Sequence, residues 1–175
     1  MRAAMTNSRD QAILFDWGDT VMRNFPSSTG PMHTWPTVEA LPGIQSALAH
    51  LHRSFIVALA TNAEDSDEID IRKALKRCGL ADYFDRVFCY REVGHRKPDP
   101  RFYRAVLSTL KLSASRVFMV GDSLEDDVLA ANSQGIAAVW FNPESEISNT
   151  GSAYRTVHRF EDLAEALHEL GAAVP

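Results

Sequence analysis

The chain has 175 residues, of which 45% are hydrophobic and 23% charged, and a formal net charge of -5. That length fits one domain with a proper core, and the acidic balance argues against nucleic acid as the main partner. No apolar run reaches membrane-spanning length, Met1 to Asp10 lacks a signal-peptide core, and Cys78 and Cys89 sit in apolar contexts that suit buried thiols, so a cytoplasmic protein without a membrane partner is expected.

Strands and helices alternate along the chain. Ala12 to Phe15 is a short apolar run and is predicted as a buried strand. Asn24 to Leu41 carries three prolines, Gly30, His33 and Trp35 without periodicity, and is expected to be an irregular, flap-like excursion near Asp16. After Pro42-Gly43, Ile44, Ala47, Leu48 and Leu51 recur at helical spacing and predict a helix over 43–52. Phe55 to Ala60 is a second strand, ending at Thr61-Asn62. Ile71, Ala74, Leu75 and Cys78 mark the next helix, with Gly79 as its C-terminal cap and the acidic cluster from Glu64 to Asp70 at its start.

Arg86 to Cys89 is a third strand. Asp99-Pro100 pairs an N-cap with a proline at the first helical position and opens a helix through Leu110. Val117 to Val120 is a fourth strand ending at Gly121-Asp122, and a helix over 124–133 stops near Gly135. Ile136 to Phe141 is a fifth strand, and Phe160, Leu163, Leu167 and Leu170 close the chain with an amphipathic helix. This alternation predicts an α/β, three-layer Rossmann-like domain with a central parallel sheet of about five strands. Right-handed crossovers would gather Asp16, Thr61 and Asp122, each at a strand's carboxyl end, on one rim.

Each of these residues has a plainer reading. Asp16 and Asp19 suit a turn after a strand, a lone Thr61 suits a hydroxyl bonded to nearby backbone, and a lone Lys97 suits a solvated surface. Ser123 with Asp126 three residues on matches a capping box, which favours Asp127 over Asp126 for a second acidic role. His33 and Trp35 are candidates for touching substrate, or for pinning their own loop.

Taken together, four pieces in order resemble the haloacid dehalogenase (HAD)-like hydrolase superfamily. Asp16-Trp17-Gly18-Asp19-Thr20 resembles the nucleophile motif, Thr61 with Asn62 the Ser/Thr motif, and Lys97 the lysine motif. Gly121-Asp122-Ser123-Leu124-Glu125-Asp126-Asp127 resembles the acidic motif. The resemblance implies a Mg2+-dependent phosphatase for phosphomonoesters or acyl phosphates, acting through an aspartyl-phosphate on Asp16. Asp16, Asp122 and the Gly18 carbonyl would hold the metal, and Thr61, Asn62 and Lys97 would hold the phosphoryl group. Asp127 and Asp19 would be supporting carboxylates.

That chemistry suits the residue types. Phosphoryl transfer needs an in-line nucleophile, a cation against the charge and donors on the equatorial oxygens. Two departures stand out. Family phosphatases usually carry a second aspartate two residues after the nucleophile, as general acid, where this chain has Gly18. Loss of a general acid costs about 10²–10⁴ in rate, which is serious for an alkyl phosphate and mild for an acyl or aryl phosphate. The second departure is length. Thr20 to Thr61 spans only about 40 residues, too few for a separate cap domain, so a single domain with an open site is expected, serving a small or macromolecular phosphate and leaving room for cover from an oligomer partner. Two alternatives stand beside this reading: a degenerate domain that binds a phosphorylated ligand or protein, and a metal-free dehalogenase, which Gly121-Asp122 disfavours.

Overall fold

The computed structural model describes residues 9–175, so most of the stretch from Met1 to Asp10 lies outside the described residues. Six strands form one parallel sheet: β1 (Ala12–Phe15), β2 (Ile56–Thr61), β3 (Arg86–Cys89), β4 (Val117–Gly121), β5 (Ala137–Phe141) and β6 (Tyr154–Val157), in the order β3-β2-β1-β4-β5-β6. The central strand β1 is buried along its whole length, which is why its sequence is continuously apolar rather than alternating.

Successive residues still face opposite layers. Ile13 and Phe15 join Leu59, Val120 and the buried faces of α1 (Ile44–Leu51) and α2 (Glu68–Arg77). Ala12 and Leu14 join Ala58, Ala60 and Met119 against Phe102, Tyr103 and Val106, in the helix Pro100–Leu110. The remaining helices are α3 (Tyr90–Val93), α4 (Pro100–Leu110), α5 (Ala130–Ser133) and α6 (Leu163–Glu169). Asp99 caps α4 as the sequence predicts, accepting from the Arg101 amide at 2.9 Å with Pro100 at its first position, and within the acidic cluster at the start of α2 it is Asp67 that caps the helix, accepting from the Asp70 amide at 2.9 Å. Gly79, just past α2, takes φ +69°.

Three features go beyond the sequence expectation. β6 adds a sixth strand at the sheet edge. The predicted 124–133 helix opens as a wider π-helical segment, Leu124–Leu129, before α5. The 24–41 excursion is irregular, with one 3-10 turn at Met32–Thr34, yet it is anchored. Arg77 from α2 donates to the carbonyls of His33 (2.9 Å), Trp35 (2.6 Å) and Pro36 (3.2 Å), and Met32 and Trp35 are buried against the core. No helix among the described residues is long and apolar enough to cross a membrane.

The sheet order reverses direction at β1 and β4, which places their carboxyl ends side by side. The Asp16 amide donates to the Val120 carbonyl at 2.9 Å, carrying the pairing of these strands to the rim. An open α/β sheet holds its ligand at such a switch point.

Candidate active site

Lys97 is the hub of this rim. Its Nζ lies 2.7 Å from Asp16 Oδ1, 2.6 Å from Asp127 Oδ1 and 2.7 Å from the Ala60 carbonyl, so all three ammonium protons have acceptors. Its side chain is 1% exposed. Burial alone would lower the Lys97 pKa, but the Asp16 and Asp127 carboxylates outweigh it and hold the ammonium firmly protonated. Burial pushes the Asp127 carboxyl up, against the pull of Lys97.

Asp127 is folded back over the end of β4. Its Oδ2 accepts from the Ser123 amide at 3.1 Å, so both of its oxygens are engaged. A Cβ on Gly121 would stand 2.2 Å from Asp127 Oδ2, and this close approach is why a glycine ends β4. The π-helical turn sets the position of Asp127: the amides of both Asp127 and Val128 reach the Ser123 carbonyl, at 3.1 and 3.3 Å. Asp126 lies one place earlier, where its amide donates to Ser123 Oγ at 3.1 Å, so Ser123 caps the helix as expected, but the reciprocal carboxylate contact to the Ser123 amide comes from Asp127.

Asp122 stands beside this pair. Thr20 Oγ1 donates to its Oδ1 at 3.3 Å and accepts from its amide at 3.1 Å, while Trp140 Nε1 donates to its carbonyl at 2.8 Å. Burial, then the Asp16 charge, push the Asp122 carboxyl up to about 6. Asp16, Asp122 and Asp127 each offer an oxygen within 4.8 Å of the others, close enough to hold a metal ion. Three carboxylates face one ammonium, a surplus of negative charge that suits a divalent cation. Both Asp127 oxygens are hydrogen-bonded, whereas Asp16 and Asp122 each have one oxygen so engaged, Oδ1 to Lys97 Nζ and Oδ1 to Thr20 Oγ1 respectively.

Thr61 ends β2 on the other side of Asp16. Its Oγ1 accepts from the Ala63 amide at 3.1 Å, which leaves the hydroxyl proton for a ligand. Asn62 is committed to the lysine's backbone: Nδ2 donates to the Lys97 carbonyl and Oδ1 accepts from the Lys97 amide, both at 2.8 Å. It fixes where Lys97 enters the site, and its carboxamide is occupied on both ends. Asp16, Gly18, Thr61 and Asn62 line a cleft of about 330 Å³ whose apolar wall is Trp17, Met32 and Trp35. Trp35 also pins its loop, donating from Nε1 to the Gly30 carbonyl at 2.8 Å and packing edge-on against Phe25. His33 contributes its carbonyl to the Arg77 anchor.

The turn after Asp16 departs from the expectation for a spare carboxylate. Asp19 is exposed, takes φ +55°, and accepts the Asn24 amide on Oδ1 at 2.9 Å. Aspartate is among the few side chains that tolerate this left-handed conformation. Sequence reasoning assigned no role to Thr20, Asn24, Tyr103 or Trp140. Tyr103 is a buried α4 side chain whose hydroxyl donates toward the Asp126 and Asp127 carbonyls, each at 3.1 Å, bracing the π-helical turn. Thr20 was visible as the last letter of the first motif, whereas the other three carry no local signal.

A parallel α/β sheet with a buried lysine strung between an aspartate after β1 and an acidic turn after β4 defines a Rossmann-like hydrolase scaffold. The haloacid dehalogenase-like hydrolase family matches residues 30–135, and the chain belongs to it. It is 36% identical over 132 residues to a ribulose-1,5-bisphosphate 5-phosphatase of Halopiger xanaduensis, across 71% of this chain and 54% of that protein. It is 33% identical over 167 residues to a pyrimidine 5'-nucleotidase of Streptococcus pneumoniae, across 93% of this chain and 69% of that protein. The chain thus spans about half to two thirds of the length of these curated relatives. An uncharacterized protein from Listeria monocytogenes serotype 4b has the same fold with a TM-score of 0.79 and 25% identity, across 91% of this chain and 98% of that one.

Proposed function

We propose that the chain is a single HAD-like hydrolase domain that hydrolyses a phosphomonoester or acyl phosphate through an aspartyl-phosphate on Asp16. The observation that carries this is the buried Lys97 ammonium held 2.7 Å from Asp16 Oδ1, where Asp16 itself lines a cleft together with Thr61. Lys97 pins one carboxylate oxygen of Asp16 and leaves the other free to attack phosphorus. Thr61 donates to a phosphoryl oxygen, and Lys97 offsets charge on the incoming phosphate. Asp127 acts through Lys97 by fixing its position and charge.

The residues fit Mg2+, with Asp16, Asp122 and the Gly18 carbonyl as its ligands. When bound, the ion would offset the charge between nucleophile and phosphate. The named activities of the relatives, a phosphatase and a nucleotidase, support a small phosphorylated molecule as substrate. The free thiols Cys78 and Cys89 agree with a cytoplasmic setting. The 24–41 segment covers one side of the cleft, in the place of a separate cap domain.

A second reading is a binding domain for a phosphorylated ligand or protein. The commitment of Asp19 to the Asn24 amide favours it, because no carboxylate then stands in for a general acid at Gly18. Assays with p-nitrophenyl phosphate, acetyl phosphate and glycerol phosphate, with and without Mg2+, separate the two. Turnover that requires Mg2+ and is abolished by Asp16→Asn is expected; no turnover of any substrate would leave the binding domain.

A further inference from the structure

Gly18 carries no side chain two residues after Asp16, and the Asn24 side chain packs close beside it. A Cβ built on Gly18 would stand 3.0 Å from Asn24 Nδ2, 3.4 Å from Asn24 Cγ and 3.7 Å from Asn24 Oδ1. The Asn24 carboxamide therefore packs directly beside the position a side chain at 18 would take, and Asn24 lines the same cleft as Asp16 and Thr61. Asp19 Oδ1 anchors the Asn24 main chain, accepting its backbone N–H at 2.9 Å. Asp19 stands one position further along the turn, in a left-handed conformation, and from there it fixes the Asn24 backbone beside the cleft.

We propose that Asn24 is the leaving-group contact of this site, and that the substrate is an acyl phosphate. The proposal rests on the phosphatase reading of Asp16. A carboxamide donates a hydrogen bond but cannot transfer a proton at neutral pH. It therefore suits a leaving group that departs as a stable anion. In the step, an Asp16 oxygen forms a bond to phosphorus while the bond from phosphorus to the acyl oxygen breaks. The electron pair of that bond leaves with the carboxylate, which needs no proton and accepts the Asn24 N–H. Water then replaces Asp16 on phosphorus, giving inorganic phosphate and returning the aspartate, with the water's proton passing to solvent.

The test compares wild type with Asn24→Ala on turnover and on binding. Asn24 is exposed on a loop, so the variant should fold. Wild type is expected to prefer acetyl phosphate to glycerol phosphate by at least the ~10²-fold that a missing general acid implies. Asn24→Ala should lower acetyl phosphate turnover about 3–10-fold, the worth of one hydrogen bond. Calorimetry should show the same loss for acetonylphosphonate, a non-hydrolysable acyl phosphate analogue, and none for methylphosphonate. An Asn24→Ala protein that matches wild type, or that loses affinity for both phosphonates equally, overturns the proposal. So does wild type that binds neither phosphonate, or that turns over glycerol phosphate as well as acetyl phosphate. Failure of the Asp16 reading is seen separately, as absent turnover, and the pair of phosphonates then still decides whether Asn24 contacts the acyl group.

Discussion

Lys97 carries its charge where no water reaches it, and its three contacts are the reason the fold tolerates it. Removing one partner of a buried ion pair leaves the other charge uncompensated, at a cost of about 3–5 kcal/mol. Lys97→Met is therefore expected to lower the unfolding free energy by that order in a denaturant titration and to abolish turnover. Gly121→Ala tests the same cluster from the strand side. The added methyl would collide with Asp127 Oδ2, so Asp127 must swing away from Lys97 or the strand end must shift. Overpacking of this kind costs about 1–3 kcal/mol, and a loss of activity larger than the loss of stability is expected from paired kinetic and thermal measurements. Asp16, Thr61 and Asp122 could be read from sequence because each ends an apolar run, and Asp127 could be separated from Asp126 because Ser123 already claims Asp126 as a capping partner. Asn24 and Tyr103 could not. Their meaning comes from a side chain missing at position 18 and from a helix turn more than twenty residues away.

The strands that pack on both faces were visible as apolar runs, and β1 and β3 begin and end at the residues their patterns predict. β6 has no such run. It lies at the sheet edge with Tyr154, Arg155 and Thr156 half-exposed and only Val157 buried, so its identity comes from pairing with β5 rather than from its own composition. The 24–41 segment was opaque for a related reason. It is held by side chains donating to its carbonyls, and such bonds leave no periodic trace. Arg77 is the main strut, reaching three carbonyls from the end of α2. Arg77→Ala should therefore release the segment without disturbing the sheet. Hydrogen exchange is expected to quicken over residues 30–36 while the β1 and β4 amides keep their protection. KM should rise more than kcat falls, because the cleft wall of Met32 and Trp35 loosens while Asp16 and Lys97 stay in place.

At the scale of the molecule, the parallel sheet concentrates negative charge. A chain with net charge -5 brings three aspartates to one rim against a single buried ammonium. Burial and the Asp16 charge hold the Asp122 carboxyl up at about 6, and both effects oppose the ionised form that a metal requires. A divalent cation would reverse that balance, so binding and folding should be linked. Free ligand at about a hundred times its dissociation constant stabilises the folded state by about 2.7 kcal/mol. For a chain of this length each kcal/mol moves the midpoint by about 2–4 °C, so saturating Mg2+ is expected to raise Tm by roughly 5–10 °C and a chelator to reverse the shift. Asp122→Asn removes one ligand charge while keeping the side chain's shape, so that variant should lose most of the Mg2+-dependent shift. Asp127→Asn, whose oxygens serve Lys97 and Ser123, should keep more of the shift while losing stability. If the two variants respond to Mg2+ alike, the division of the acidic cluster into a metal ligand and a lysine anchor is wrong.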